Sequence, residues 1–353
     1  MQQLFNKSIQ EIYVMTMGHE FTEYDPTQFA REILARSQDA LQRSVAVISP
    51  EAPHADPLSV LPKTTETRDD GRAQAYINGI LEPLTPDQSL QLRGIAAELG
   101  FARPNDLTLG EQGIRGAHVI LEGGLPHKIL AEAMLVLEDD SANPTTLIFS
   151  ASPSVKLNDA GKASAERIIG YVPENEYEVA QALIAKLPGF MALEQPELSV
   201  GGYDLDEGYT VTNETSGQFM RVGFVGTVPV ILMTIDRVNY VDEVTGEPKY
   251  RQPGAAEVIK IVSDVSAGQG DTLLPVAFVT SATYQPSRNV AGAQAALTNG
   301  RQVGIATYGT ERLNAITGES AQPKRDDQLP GELYKMAQDI AALDKLLASP
   351  TTE

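Results

Sequence analysis

AHVILEGG, residues 117–124, is a run of buried-type residues that ends in two glycines, and its two neighbours downstream turn it into a fold assignment. Residues 127–140, HKILAEAMLVLEDD, carry helical periodicity, and residues 145–152, TTLIFSAS, read as a second strand. Together they form a βαβ unit. A second unit is equally clear further on: LLPVAFVTSATYQPSR (273–288) is a strand opening into a polar turn, a helix runs through Leu297 to a stop at Gly300, and QVGIATYG (302–309) is the returning strand.

The intervening segments fit the same alternation. A charged stretch containing Glu166 and Arg167 leads through Pro173 to a helix expected over Asn175 to Leu187. QFMRVGFVG (218–226) and VPVILMTIDRV (228–238) either pair as a hairpin across Gly226 and Thr227 or form one interrupted strand. A loop rich in Asp, Glu, Gly and Pro then precedes a helix over 255–267, AAEVIKIVSDVSA. Alternation of this kind predicts an α/β fold with a Rossmann-like, mostly parallel sheet flanked by helices, spanning about Gly116 to Gly309.

Upstream, Phe29, Ile33, Leu34, Leu41 and Val45 recur at helical spacing and predict one amphipathic helix over 26–47. Residues 49–71 have the Pro, Ser, Thr and charge content of a surface loop, and two shorter helices are expected over Arg72–Leu81 and Thr85–Leu99. At the other end, Leu333, Met336, Ile340, Leu343 and Leu347 form one stripe of a helix expected over Gly331–Leu347. The predicted organisation is a helical region over 1–110, an α/β domain over 111–325, and a helix and tail over 326–353 that pack on the body.

Composition narrows the function. The 353 residues are 42% hydrophobic, enough for a large core. No stretch approaches the roughly 18 consecutive apolar residues of a membrane span, since Gly223, Gly226, Thr227 and Pro229 interrupt the longest apolar segment. The first twenty residues lack the pattern of a secretory signal, so a cytoplasmic protein is expected. Cysteine is absent, which removes disulfides and thiolate chemistry. A net charge of −20 repels phosphate backbones and argues against nucleic-acid binding, while leaving room for a small anion held by a local group of donors.

In open parallel sheets, ligands sit beyond the carboxyl ends of the strands, which directs attention to the turns after Leu121, Phe149, Thr234 and Thr280. Gly123 and Gly124 let backbone approach a ligand at the first of these, and His127 follows them closely. Ser150, Ser152 and Ser154 supply hydroxyls at the second. The last turn gathers Thr280, Ser281, Thr283, Tyr284, Ser287 and Arg288, a set able to hold a phosphate, carboxylate or ribose, although Ser281 or Ser287 also suits a helix cap. Asp236 and Glu257 are the candidate general bases. No metal site is expected: HEFTE (19–23) lacks a second His, and Asp204, Asp206 and Glu207 lack the spacing of a calcium loop.

The order of these elements resembles the YdcF-like proteins of the DUF218 group, which includes SanA and ElyC. VILEGG (119–124), IFSAS (148–152), SAERI (164–168), GAAEVIKIV (254–262) and VAFVTSATYQPSR (276–288) carry the resemblance, which covers about residues 117–310. Ala151 and Ser152 stand where the family has glycines, Tyr284 or Gln285 where it has a His, and His127 or Lys128 where it has an Arg; Glu257 is the nearest polar residue to its helix Asn. The resemblance implies a pocket for an adenosine-containing or other nucleotide-type ligand such as S-adenosylmethionine. It leaves two activities open, a transferase or hydrolase that works by positioning and charge stabilisation, and a non-catalytic binding or scaffold protein with a degenerate site. A subunit of a larger assembly is a third reading, prompted by the helical N-terminal region and acidic surface.

Overall fold

The computed structural model describes residues 24–61, 77–200, 218–234, 238–241, 248–251, 253–268, 274–318 and 328–349. At its centre lies strand β1 (His118–Leu121), whose residues are all buried. It pairs in parallel with β2 (Thr146–Ala151) on one side and with β8 (Val276–Ser281) on the other. β2 pairs in parallel with β5 (Val228–Thr234), and β8 with β9 (Val303–Tyr308). Antiparallel β4 (Gln218–Val225) and β3 (Phe190–Val200) extend the β5 edge, giving the order β3-β4-β5-β2-β1-β8-β9. The fold is therefore α/β with a mostly parallel sheet.

Helices cover both faces. α3 (Pro126–Leu137), α4 (Asp159–Ile168), α5 (Glu176–Ile184) and α8 (Thr310–Thr317) pack over one face. On the other, α7 (Gln285–Asn299) lies between α1 (Pro26–Ile48), α6 (Ala255–Gly268) and α9 (Leu329–Ala348). α7 is buried along most of its length and carries Ala291, Gly292, Ala293, Ala295 and Ala296, whose small side chains let three helices approach it. α1 enters behind Asp25, whose carboxylate accepts the N–H groups of Thr27 and Gln28. α2 (Pro86–Glu98) has the capping box that Thr85 announces, with Gln88 reaching back to the Thr85 N–H.

Several expectations change. The charged stretch around Glu166 and Arg167 is helix α4, begun by the Asn158 carboxamide oxygen on the Gly161 N–H. β3 and α8 form where no element was assigned, because an edge strand broken at Pro196 and an eight-residue helix give weak periodicity. The loop after β5 contains a two-stranded pair, β6 (Val238–Val241) with β7 (Pro248–Arg251). Within the 218–238 segment, residues 218–234 form the hairpin β4–β5, turning at Gly226 with φ +59°. Of the helix expected over Arg72–Leu81, the described residues 77–81 form a single π-helical turn, and within the expected 49–71 loop Pro57–Val60 is a helical turn. Asp236 and the Asp204–Glu207 segment lie outside the described residues.

Ile33 of α1 and Met336 of α9 are fully buried in the same core as the sheet. Ile33→Ala or Met336→Ala should each cost about 2–5 kcal/mol in urea unfolding of the whole chain. A loss below about 1 kcal/mol would show that the helix concerned packs loosely.

Candidate functional site

The chain moves from β1 to β2 on one side and later returns to β8 on the other, so the strand order reverses beside β1. Main-chain connections diverge at such a point and leave a crevice at the carboxyl ends. Glu122, the residue after β1, occupies it. One carboxylate oxygen accepts the Thr280 hydroxyl at 2.5 Å, and the other accepts Arg288 Nη2 from the first turn of α7. The pair is largely shielded, with side-chain exposures of 25% for Glu122 and 16% for Arg288. Burial raises the Glu122 pKa, but the Arg288 charge and the hydrogen bonds from Thr280 and Arg288 outweigh it and hold the carboxyl below its ordinary value. Glu122 is thus a fixed anion and a poor proton shuttle.

Two cavities meet at this residue. A small one of about 100 Å³ lies over the ends of β1 and β2, lined by Glu122, Gly123, Ser150, Ser152 and Glu176 among others. A cleft of about 820 Å³ runs outward between α6, α7 and α9, past Arg288, Glu257, Lys335 and Asp339. Ligand sites commonly enclose roughly 300–1,000 Å³, so the cleft has room for a whole small molecule and the small cavity for one substituent. Glu122, Pro253 and Ala255 line both.

Gly123 is required where it stands: a Cβ there would lie 2.7 Å from the carbonyl oxygen of Ser150. Gly124 adopts φ +151°, outside the range favoured by other residues. Ser152 lines the small cavity beside Ser150, its Oγ 3.0 Å from that of Ser154. Tyr284 and Arg288 meet, the guanidinium lying 5.8 Å from the ring centroid. Ser281 instead caps the turn after β8, accepting the Thr283 N–H, as its alternative reading anticipated. His127 lines neither cavity; its Nδ1 lies 2.7 Å from the Ser164 hydroxyl of α4. Glu257 borders the cleft, but its carboxylate accepts the Gly254 N–H at 2.7 Å at the start of α6.

The sequence reading passed over several carboxyl groups. Glu132 of α3 is sealed beneath the crevice against the Glu122 backbone, and burial lifts its pKa well above the usual range. Glu332 of α9 accepts both the N–H and hydroxyl of Ser287, filling the N-terminus of α7; burial raises it too. Asp339, also on α9, is raised to about 7 by burial, with Arg288 opposing the shift. These residues carry no motif. An acidic residue abutting a buried strand, as Glu122 does, was the available signal.

The chain matches no protein-family model, no curated protein and no solved structure. Among the described residues, no group of three or more His, Cys, Asp or Glu side chains is arranged to hold a metal ion, and no helix is long and apolar enough to cross a membrane.

Two outcomes follow from this electrostatics. Glu122→Gln leaves a shielded guanidinium without its counter-charge and should destabilise the chain by about 2–3 kcal/mol in chemical denaturation, whereas Glu122→Leu combined with Arg288→Met should recover much of that loss. Asp339 binds its proton more tightly folded than unfolded, so its contribution to stability is full at low pH and declines as pH rises from about 4 to about 7. Asp339→Asn should flatten that part of the pH profile of Tm and stabilise the chain on the order of 1–2 kcal/mol at pH 8.

Proposed function

We propose that this chain binds a nucleotide-type small ligand, an adenosine compound such as S-adenosylmethionine, at the carboxyl ends of β1, β2 and β8. The carrying observation is the crevice at the strand-order reversal, where the fixed Glu122 carboxylate borders both the small cavity and the cleft. A carboxylate flanked by the Ser150 and Ser152 hydroxyls suits a ribose diol or an amine, because each offers donors to a charged acceptor in a shielded setting. The cleft between α6, α7 and α9 then takes the rest of the molecule. Descent from the YdcF-like group is the evolutionary counterpart of this proposal, resting on the order of VILEGG, IFSAS and VAFVTSATYQPSR. A cytoplasmic setting and avoidance of nucleic acid complete it, on the grounds of sequence pattern and a charge of −20.

Transferase or hydrolase chemistry on this site would use positioning and charge, because the fixed Glu122 is a weak base and Glu257 is engaged at the start of its helix. A second reading, a binding or scaffold protein with a degenerate site, is favoured by one observation. Arg288 and the α7 N-terminus, the two features best suited to an anion at the end of β8, are already engaged by Glu122 and Glu332.

Thermal-shift and calorimetric titrations with S-adenosylmethionine, adenosine, ATP and a nucleotide sugar separate the two. The first reading expects at least one of them, at about 100 times its Kd, to add roughly 2.7 kcal/mol of stability. Glu176→Gln, at the small cavity, should weaken that ligand severalfold. Silence from all four supports the second reading.

A further inference from the structure

We infer that the ligand of this crevice carries an anionic group, a phosphate or a carboxylate, received by Lys128 and Lys335 around the ring of Tyr284; the inference rests on the ligand-binding reading above. Lys128 enters from the first turn of α3, on one face of the sheet, and Lys335 from α9, on the other. Their ammonium groups lie 5.0 Å and 5.4 Å from the Tyr284 ring centroid, and Arg288 lies 5.8 Å from it. Lys128 also donates to the Tyr284 hydroxyl at 3.2 Å. Three cations on one ring is a costly concentration of like charge unless something negative joins them.

Among the described residues, a direct ion pair compensates only one of these cations. Arg288 is paired with Glu122, but neither Lys128 nor Lys335 has a carboxylate within ion-pairing distance among the described residues. The acids that face these lysines are Glu132 and Glu122 toward Lys128, and Glu332 and Asp339 toward Lys335. Glu122 is committed to Arg288 and Thr280. Burial favours the neutral forms of Glu132, Glu332 and Asp339, which blunts their compensation. Lys128 and Lys335 thus stand beside Arg288 without direct ion pairs of their own among the described residues, within a chain of net charge −20.

Tyr284 gives the site its shape. It is half-buried at the entry to α7, and its ring is the common surface on which the three cations converge. Lys335 also lines the large cleft, so an anion held there belongs to a molecule lying in that cleft with its other end toward Glu122. Lysine ammoniums on flexible stems can both close on one phosphate or carboxylate without the fixed fork geometry an arginine pair would impose. The exposed position of Lys335 allows entry and exit.

Calorimetry of the full chain with adenosine, AMP, S-adenosylhomocysteine and inorganic pyrophosphate, at low and at physiological salt, tests this. AMP should bind about tenfold or more tightly than adenosine, and that ratio should fall toward one in Lys335→Gln and in Lys128→Gln, each checked for an unchanged Tm. The same lysine-dependent gain for S-adenosylhomocysteine but not AMP would identify the anion as a carboxylate. AMP, S-adenosylhomocysteine and adenosine binding equally in the natural chain and in both variants overturns the anion site and leaves the nucleoside reading standing. Lysine-dependent binding of pyrophosphate without any nucleoside binding does the reverse, and binding of none of the four overturns both.

Discussion

Strand β1 has no free edge and no exposed residue: parallel partners bond it on both sides, and helices close over both faces. Parallel neighbours need crossover connections, so the chain must leave β1 through α3 toward β2 and later come back through α6 to β8. The reversal of strand order follows from that double pairing, and the crevice follows from the reversal. Glu122 is the first residue of β1's exit free of the buried ladder, and there its side chain meets groups arriving from β8 and α7. The site is a consequence of the topology more than of any one motif.

The Glu122 and Arg288 pair fixes α7 relative to the central strand, and α7 in turn seats α1, α6 and α9. The small residues of α7 make this possible, since Ala291 and Ala295 border the cleft while permitting close helix approach elsewhere. Glu332 fastens α9 to the beginning of α7 through Ser287, so the C-terminal helix forms one wall of the cleft while capping another. Packing and electrostatics therefore act on the same few side chains. A charge removed from this group disturbs helix docking as well as the crevice.

The parts of the fold that could be read in advance share a physical feature: strong local signals agree with burial. The VILEGG strand, the alanine-rich helix ending at Gly300 and the Thr85 cap were legible because hydrophobic period, glycine and capping chemistry coincide there. α4, β3 and the β6–β7 pair were not, because polar composition or a proline at an edge hid them. Within the site, Gly123, Ser150 and Ser152 line the small cavity, Arg288 lines the cleft and Tyr284 lies against Arg288, while Ser281 is a cap and His127 meets Ser164. Lys335, Glu332 and Asp339 lie more than forty positions downstream of Arg288, on a helix whose apolar stripe was visible and whose polar face was not interpretable by itself.

That polar face matters because of how charge is distributed. An acidic chain disfavours anions at a distance, and at physiological ionic strength this long-range term fades within about 8 Å. Inside the crevice the balance is set by the nearest groups, and burial raises the proton affinity of Glu132 and Glu332, which weakens their compensation of nearby cations. Net charge is thus an argument about encounter with large polyanions and says little about a single phosphate or carboxylate beside Tyr284. The same reasoning explains why Glu122 is held below the usual carboxylate range while burial raises Glu132, Glu332 and Asp339: among these four it alone has both a guanidinium and a hydroxyl donor bound directly to its oxygens. A cleft with one fixed anion at its base and the Lys335 ammonium along its wall is polarised along its length, and polarity of that kind selects a ligand with unlike ends.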